Sequence, residues 1–385
     1  MDKKNKNPNV PNLRFNGYTE NWQKYRTIEL GQMQRGKSKH RPRDDEKLYG
    51  GAYPFIQTGD IKKANLYIKE YERTYSNYGL SQSKLWPKGT LCITIAANIA
   101  ETAILGLNAC FPDSVIGWIS NEKITNNIFI KYYFDFYKTQ LKRLSVGGAQ
   151  ENLNLDKLEN VYFHIPTLPE QNDITNLLTK IDELIETQIK IIDTLLSEIN
   201  SIRSLIFNKS SLKWIPLKDI VAEQDIKLKR GKVIPKHKKN LKYIYPVYSS
   251  SITNSGLMGY SDSYMFNQEL ITWSIDGGGN FFYRKKHKFN ITNVSGYMIL
   301  NENLFNYQFI VQSLIWQHEK LKFDYQTKAH PSVVESLYKI PIMDLEEQHK
   351  YACLFSNLNE KYELELHILD LLNMQKKYLL KNMFV

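Results

Sequence analysis

Cysteine is scarce in this chain: Cys92, Cys110 and Cys353 are the three among 385 residues. Odd in number, widely spaced and without a CxxC pair, they argue against a disulfide framework and a thiolate zinc site. Each reads as a small buried hydrophobe in a reduced, cytoplasmic protein. No apolar run approaches the ~20 residues that span a bilayer. Residues 1–12 are polar, rich in Lys and Asn, and lack the apolar core of a secretory leader. The histidines show no metal-ligand spacing. Also missing are a GxxxxGK[ST] phosphate loop and an HExxH pair. The sequence has neither the Pro-Pro-aromatic motif of amino-methyltransferases nor a Ser/His/Asp arrangement supported by spacing. These absences point away from an enzyme.

Glycine and proline are missing from two long stretches, 170–215 and 342–385, although the chain holds 19 and 13 of them. Both residues punctuate turns, so the stretches read as long helices and the remainder as turn-rich mixed structure. The two stretches match at an offset of 177, from Glu170-Gln171 and Glu347-Gln348 to Phe207 and Phe384. Between those ends, steps of four and three pick out Ile174, Leu178, Ile181, Ile185, Gln188, Ile192, Leu195, Ile199, Ile202 and Ile206. The same offset gives Tyr351, Phe355, Leu358, Tyr362, Glu365, Leu369, Leu372, Lys376, Leu379 and Met383. Nine of ten positions are apolar in the first set and eight of ten in the second, which is a heptad seam. A helix over 170–207 would run ~57 Å and would expose its seam if it stood alone. Two such helices in one chain pack most simply on each other, antiparallel. Gln188 and Glu365 share one seam position, as tolerated polar residues or as a register-setting layer.

The charge follows the same division. Residues 1–169 carry 24 basic against 16 acidic side chains, and 210–341 carry 18 against 10. The stretches 170–209 and 342–385 are mildly acidic, with 4 against 7 and 5 against 7. Two basic blocks alternating with two acidic ones fit two surfaces facing a polyanion. The basic blocks also repeat at scattered anchors. These include Trp22 with Trp214, Tyr53-Pro54 with Tyr245-Pro246, and Val115-Ile-Gly-Trp118 with Val294-Ser-Gly-Tyr297. Leu158-Glu-Asn-Val-Tyr162 pairs with Val334-Glu-Ser-Leu-Tyr338. The chain is therefore two copies of one unit. Within the blocks, 53–57, 91–95, 115–119, 245–248 and 270–275 read as strands, and 128–144 and 304–323 as aromatic-rich helices.

Three kinds of segment are candidates for touching DNA. Basic loops hold Arg35, Lys37, Lys39, Arg41 and Arg43 in one copy, and Lys229, Arg230 and Lys232 in the other, followed by Lys236-His-Lys-Lys239. Their charges suit phosphates, and arginine also forks onto guanine; the bland alternative is a solvated charge run. Polar loops follow: Gly147-Gly-Ala-Gln150, where Gln150 suits adenine, its counterpart Thr327-Lys328-Ala-His330, and Asp276-Gly-Gly-Gly-Asn280. Ordinary turns are the bland alternative there, and the last segment lacks the GxGxxG spacing of a dinucleotide site. The third is Arg284, Lys285, Lys286 and the following His-Lys, a phosphate contact or a charged hairpin tip.

These residues bring a family into view. Ile165-Pro-Thr-Leu-Pro-Glu-Gln171, followed by a heptad helix ending Leu205-Ile-Phe207, resembles a conserved region of type I restriction-modification specificity subunits. Ile340-Pro-Ile-Met-Asp-Leu-Glu-Glu-Gln348, running to Met383-Phe384, resembles the second such region, with Asp344-Leu-Glu where the first has Pro169. The start, Pro11-Asn-Leu-Arg-Phe15 to Trp22, is similar to the family's opening. The resemblance implies an α+β protein with two mixed sheet-containing target-recognition domains and a pair of long antiparallel coiled-coil helices, duplicated about a pseudo-twofold. The expected bounds are an N-terminal segment 1–21, recognition domains 22–164 and 210–339, and helical spacers 165–209 and 340–385. It also implies that each domain reads half of a bipartite double-stranded DNA target. The helices would set the spacing and hold two methyltransferase subunits, joined by two restriction-translocase subunits in a bacterial defence complex. S-adenosylmethionine, ATP and Mg2+ would belong to those partners, with no cofactor, metal or catalytic residue in this chain. The alternatives are a coiled-coil DNA-binding scaffold outside restriction-modification and an enzyme with an unrecognised site.

Overall fold

The strand-forming segments of the two basic blocks assemble into sheets of one design. The structure, a computed structural model, describes residues 9–145, 153–251, 253–276, 278–321 and 328–385. It divides into two units, Met1–Lys190 with His367–Val385, and Ile191–Leu366.

In the first unit, β1 (Gln23–Arg26) pairs antiparallel with β9 (Tyr162–Ile165), the strand leading into the first long helix. Five further strands are β2 (Gly31–Arg35), β4 (Tyr67–Ile68), β6 (Leu91–Thr94), β7 (Thr102–Leu105) and β8 (Val115–Ser120). They form one sheet in the order β2-β8-β6-β7-β4, with β3 (Tyr49–Phe55) and β5 (Arg73–Tyr75) as a separate pair. All four residues of β6 are buried, as a central strand covered on both faces requires. One cover is the helix Asn127–Ser145, whose Phe129, Tyr132, Tyr133 and Phe134 are wholly buried. Gly117 in β8 has no room for a side chain: a Cβ would lie 2.7 Å from the Trp86 ring.

The second unit repeats this plan. Strand β10 (Lys213–Pro216) pairs with β17 (Lys339–Ile342) ahead of the second long helix. The sheet is built from β11 (Ile226–Arg230), β12 (Tyr245–Tyr248), β13 (Leu257–Ser261), β14 (Phe266–Ser274), β15 (Phe281–Ile291) and β16 (Ser295–Leu300). Its order is β11-β16-β14-β15-β12-β13, so β2-β8-β6-β7 and β11-β16-β14-β15 correspond. Gly296 stands where Gly117 does, with a Cβ only 2.1 Å from the Trp273 ring. The covering helix is Tyr307–Lys320. Each covering helix starts on an asparagine whose Oδ1 accepts from a backbone N–H three residues on: Asn126 from Phe129 and Asn306 from Phe309.

The two breaker-free stretches form helices Leu168–Phe207 and Leu345–Met383. Within the first unit they are antiparallel. Glu170, at the start of one, accepts a hydrogen bond from the Trp22 indole, and that ring meets Phe384 at the end of the other. Further along, Asp182 Oδ1 lies 2.6 Å from Lys376 Nζ. Within the second unit, Phe207 contacts Phe309, and Phe309 stacks on Tyr351, near the start of the second helix. Ile174, Leu178, Ile181, Ile185, Ile192 and Leu195 are buried, as is Phe355, while Leu358, Leu369 and Leu372 are half-buried. Each fully buried seam side chain contributes roughly 1.5–3 kcal/mol relative to an exposed one. Cys92 and Cys110 are buried, but Cys353 is exposed on the outer side of its helix and does not fit the expected core role. Among the described residues no helix is long and apolar enough to cross a membrane.

Candidate nucleic-acid interface

The same corner follows the first sheet strand of each unit. Arg35-Gly36-Lys37 closes β2, and Arg230-Gly231-Lys232 closes β11. Both glycines are pressed against backbone: a Cβ would lie 2.3 Å from the Phe111 carbonyl oxygen at Gly36, and 2.2 Å from that of Ile291 at Gly231. The absence of a side chain lets the chain turn there, and the flanking cations are exposed. By composition alone these segments stand out only as basic loops. The Arg-Gly-Lys identity at an offset of 195 was the available signal. Residues 227–230 are also strand rather than loop, paired with β16.

In the first unit the segment beyond this corner is held in shape. Lys37 and Lys39 are exposed, while their backbones bond to Ser83 and Gln82. Arg41 donates to the carbonyls of Ser38 and His40, and Arg43 makes two 2.9 Å bonds to the Asp113 carboxylate. Arg43 is thus partly neutralised, and Lys37 and Lys39 carry the freer charge. Lys84 joins them: its ammonium sits 3.7 Å from the Trp86 ring centroid and donates to Gln34. Burial first, then the like charge of Lys37, holds Lys84 below the ordinary lysine range. Lys84 gives no sequence signal of its own, since it lies outside any basic run.

In the second unit Lys229 is exposed, and Arg230 is exposed with two donors on the Asn293 carbonyl. Lys328 lies 3.3 Å from Asp276, and Lys285 lies 2.7 Å from Glu360; both are surface pairs. Lys286 is exposed. Arg284 requires a correction. It is 5% exposed, with its guanidinium 3.8 Å from the Tyr248 ring centroid, donating to Thr272 Oγ1 and the Ser255 carbonyl. Burial pushes its pKa down to about 10, so it stays charged at neutral pH. It is a core cation and presents nothing to a phosphate.

The cause is a bulge. Gln268 pairs with His287 but Leu270 with Arg284, so β15 carries one extra residue there. The inside–outside alternation slips, Arg284 turns inward, and Lys285 and Lys286 both face solvent. Gln150 with its loop 147–150, Thr327 and Gly277 lie outside the described residues. Gly278 and Gly279 have φ of +84° and +79°, the left-handed backbone that glycine adopts without strain.

The residues joining sheet to helix match across the units as well. Gln171, fully buried, donates to the carbonyls of Ile124 and Pro166 and accepts from Thr125. Gln348 donates to the carbonyls of Leu304 and Met343 and accepts from the Asn306 N–H. One glutamine thus ties each long helix to the loop that starts its covering helix.

This duplicated plan has known counterparts. A family model for the type I restriction modification DNA specificity domain matches residues 19–196 and again 213–374. The chain belongs to the type I restriction-modification specificity-subunit family. A putative type I restriction enzyme specificity subunit of Methanocaldococcus jannaschii is 27% identical over 174 residues, 44% of this chain and 39% of that protein. A putative type I specificity subunit of Mycoplasma pneumoniae is 34% identical over 115 residues, 28% of this chain and 36% of that one. The matches thus span less than two fifths of the length of these relatives. The crystal structure of a type I restriction-modification S subunit from M. genitalium shares the fold, with TM-score 0.68 at 18% identity, over 98% of this chain and 99% of that one.

Proposed function

We propose that the chain is the DNA-reading, non-catalytic subunit of its complex, with each unit reading one half of a split duplex target. The observation that carries this is the Arg-Gly-Lys corner at the same strand end of both units, its arginine and lysine exposed and further exposed cations beside it. Such cations neutralise phosphates and release counterions, and arginine adds groove readout. The long helices would space the two readers and dock two methyltransferase subunits, which the restriction-translocase subunits would join. S-adenosylmethionine, ATP and Mg2+ would serve those partners. Co-expression with a methyltransferase subunit, followed by methylome mapping, tests the proposal. A motif of two defined parts around an undefined spacer is expected, with no methyl transfer, ATP hydrolysis or DNA cleavage by the purified chain alone. Methyl transfer without a partner would contradict it.

A further inference from the structure

Leu241 is 102% exposed, more than any other large apolar side chain among the described residues, and it stands at the tip of a turn. Exposed turns favour Asn, Asp, Gly and Ser, and a leucine there gains nothing from water. The turn is also rigid. Asn240 Oδ1 accepts from the backbone N–H groups of Lys242 and Tyr243, at 2.8 and 2.9 Å. The His237 ring stacks on Tyr243 with centroids 3.9 Å apart, and the His237 backbone pairs twice with Tyr260 of β13. Leu241 is therefore held out by a clamped turn.

Its neighbours are cations. Lys236, Lys238 and Lys239 are exposed and form no ion pair among the described residues, and Lys242 lies 3.8 Å from Asp262. An apolar tip between lysines suits duplex DNA: the ammonium groups meet phosphates on either side, and the tip faces the groove between them. Proteins that kink DNA insert such side chains, leucine among them, between base steps. The equivalent segment of the first unit, residues 36–48, has no exposed large apolar residue, since its Leu48 is buried.

We infer that Leu241 is an apolar wedge that enters a base step in the half-site read by the second unit. This rests on the DNA-reading role proposed above. A wedge acts through unstacking, so it favours easily opened pyrimidine–purine steps and adds specificity without a hydrogen bond to a base.

The test uses the full chain assembled with its methyltransferase subunit and duplexes carrying the complex's own methylation motif, with 2-aminopurine placed at successive positions. Binding should raise the fluorescence at one step of a single half-site. Leu241→Ala should abolish that rise and weaken affinity about tenfold, with an unchanged salt slope because no phosphate contact is lost. Leu241→Phe should retain the rise. Since the side chain touches only solvent, the alanine variant should match the parent in thermal unfolding. Tight binding by both parent and Leu241→Ala with the same fluorescence would overturn the wedge alone. Loss of methyltransferase co-purification in Leu241→Ala would overturn it in favour of a protein contact. Failure of the parent complex to bind its motif would instead sink the DNA-reading role.

Discussion

Arg284 and Lys286 stand two residues apart in a basic run, yet one is a core side chain and the other a surface one. Composition gives no means of separating them, because an unpredicted bulge sets which residue turns inward. Arg284→Ala should destabilise the chain by about 2–4 kcal/mol, through a cavity and two lost hydrogen bonds. It should leave the salt dependence of DNA binding unchanged. Denaturant unfolding and a salt titration check both; normal stability with a shallower slope would return Arg284 to the surface. In the first unit, if its basic segment meets phosphates as proposed, joint replacement of Lys37, Lys39, Arg41 and Arg43 by Ala should flatten log affinity against log salt by up to about one unit per lost phosphate contact. Because Arg43 already holds Asp113 and Arg41 is bound to carbonyls, most of the change should be reproduced by Lys37→Ala with Lys39→Ala. An unchanged slope would mark the loop as a solvated charge run. The basic character of these segments was legible in the sequence. Their local ion pairs were not, since Asp113 lies 70 residues from Arg43 and meets it only in the fold.

The long helices were the most legible elements. Their seam repeats over five heptads without a glycine or proline, so period and length agree. The strands were legible where apolar residues run together, as at Leu91–Thr94, and poorly where charge dominates, as in Ile226–Arg230. That strand alternates lysine with apolar residues, and pairing with β16 settles its state. The polar layer at Asp182 was hidden as well. Asp182 is buried, accepts from Tyr132 and faces Lys376, an ion pair that breaks the apolar seam at one level. Such a layer fixes register more than it adds stability. If helix length sets the gap between the readers, removing one heptad from each helix should keep the seam in phase and shorten the gap. Seven residues at ~1.5 Å remove about 10 Å, and DNA rises about 3.4 Å per base pair. Deleting 185–191 together with 362–368 should therefore shorten the undefined spacer by about one to three base pairs. Both half-site sequences should persist. A folded, active variant with an unchanged spacer would mean that the helices serve assembly alone.

At the scale of the whole chain the duplication is the organising fact. Sheet order, covering helix, asparagine cap, Arg-Gly-Lys corner and tying glutamine all occur twice. The copies differ where each is expected to be individual. In the first, Arg14 binds Glu170 with bonds of 2.7 and 2.8 Å, whereas the matching Glu347 is exposed. The second carries the apolar turn at Leu241, and the equivalent described segment of the first, residues 36–48, exposes no large apolar side chain. Common framework and divergent loops are what two readers of different half-sites would need. The scattered anchors in the sequence mark the framework, because packing constrains Trp22, Gly117 and Gly296. They say nothing of the loops, whose contacts depend on geometry. The central claim, one reader per half-site, meets its most direct test in a domain exchange. Residues 22–164 are replaced by the matching block of a related subunit of different specificity, and the methylome of the strain is mapped. One half of the motif should change while the other half and the spacer stay as they were. A change in both halves, or in neither, would contradict the account.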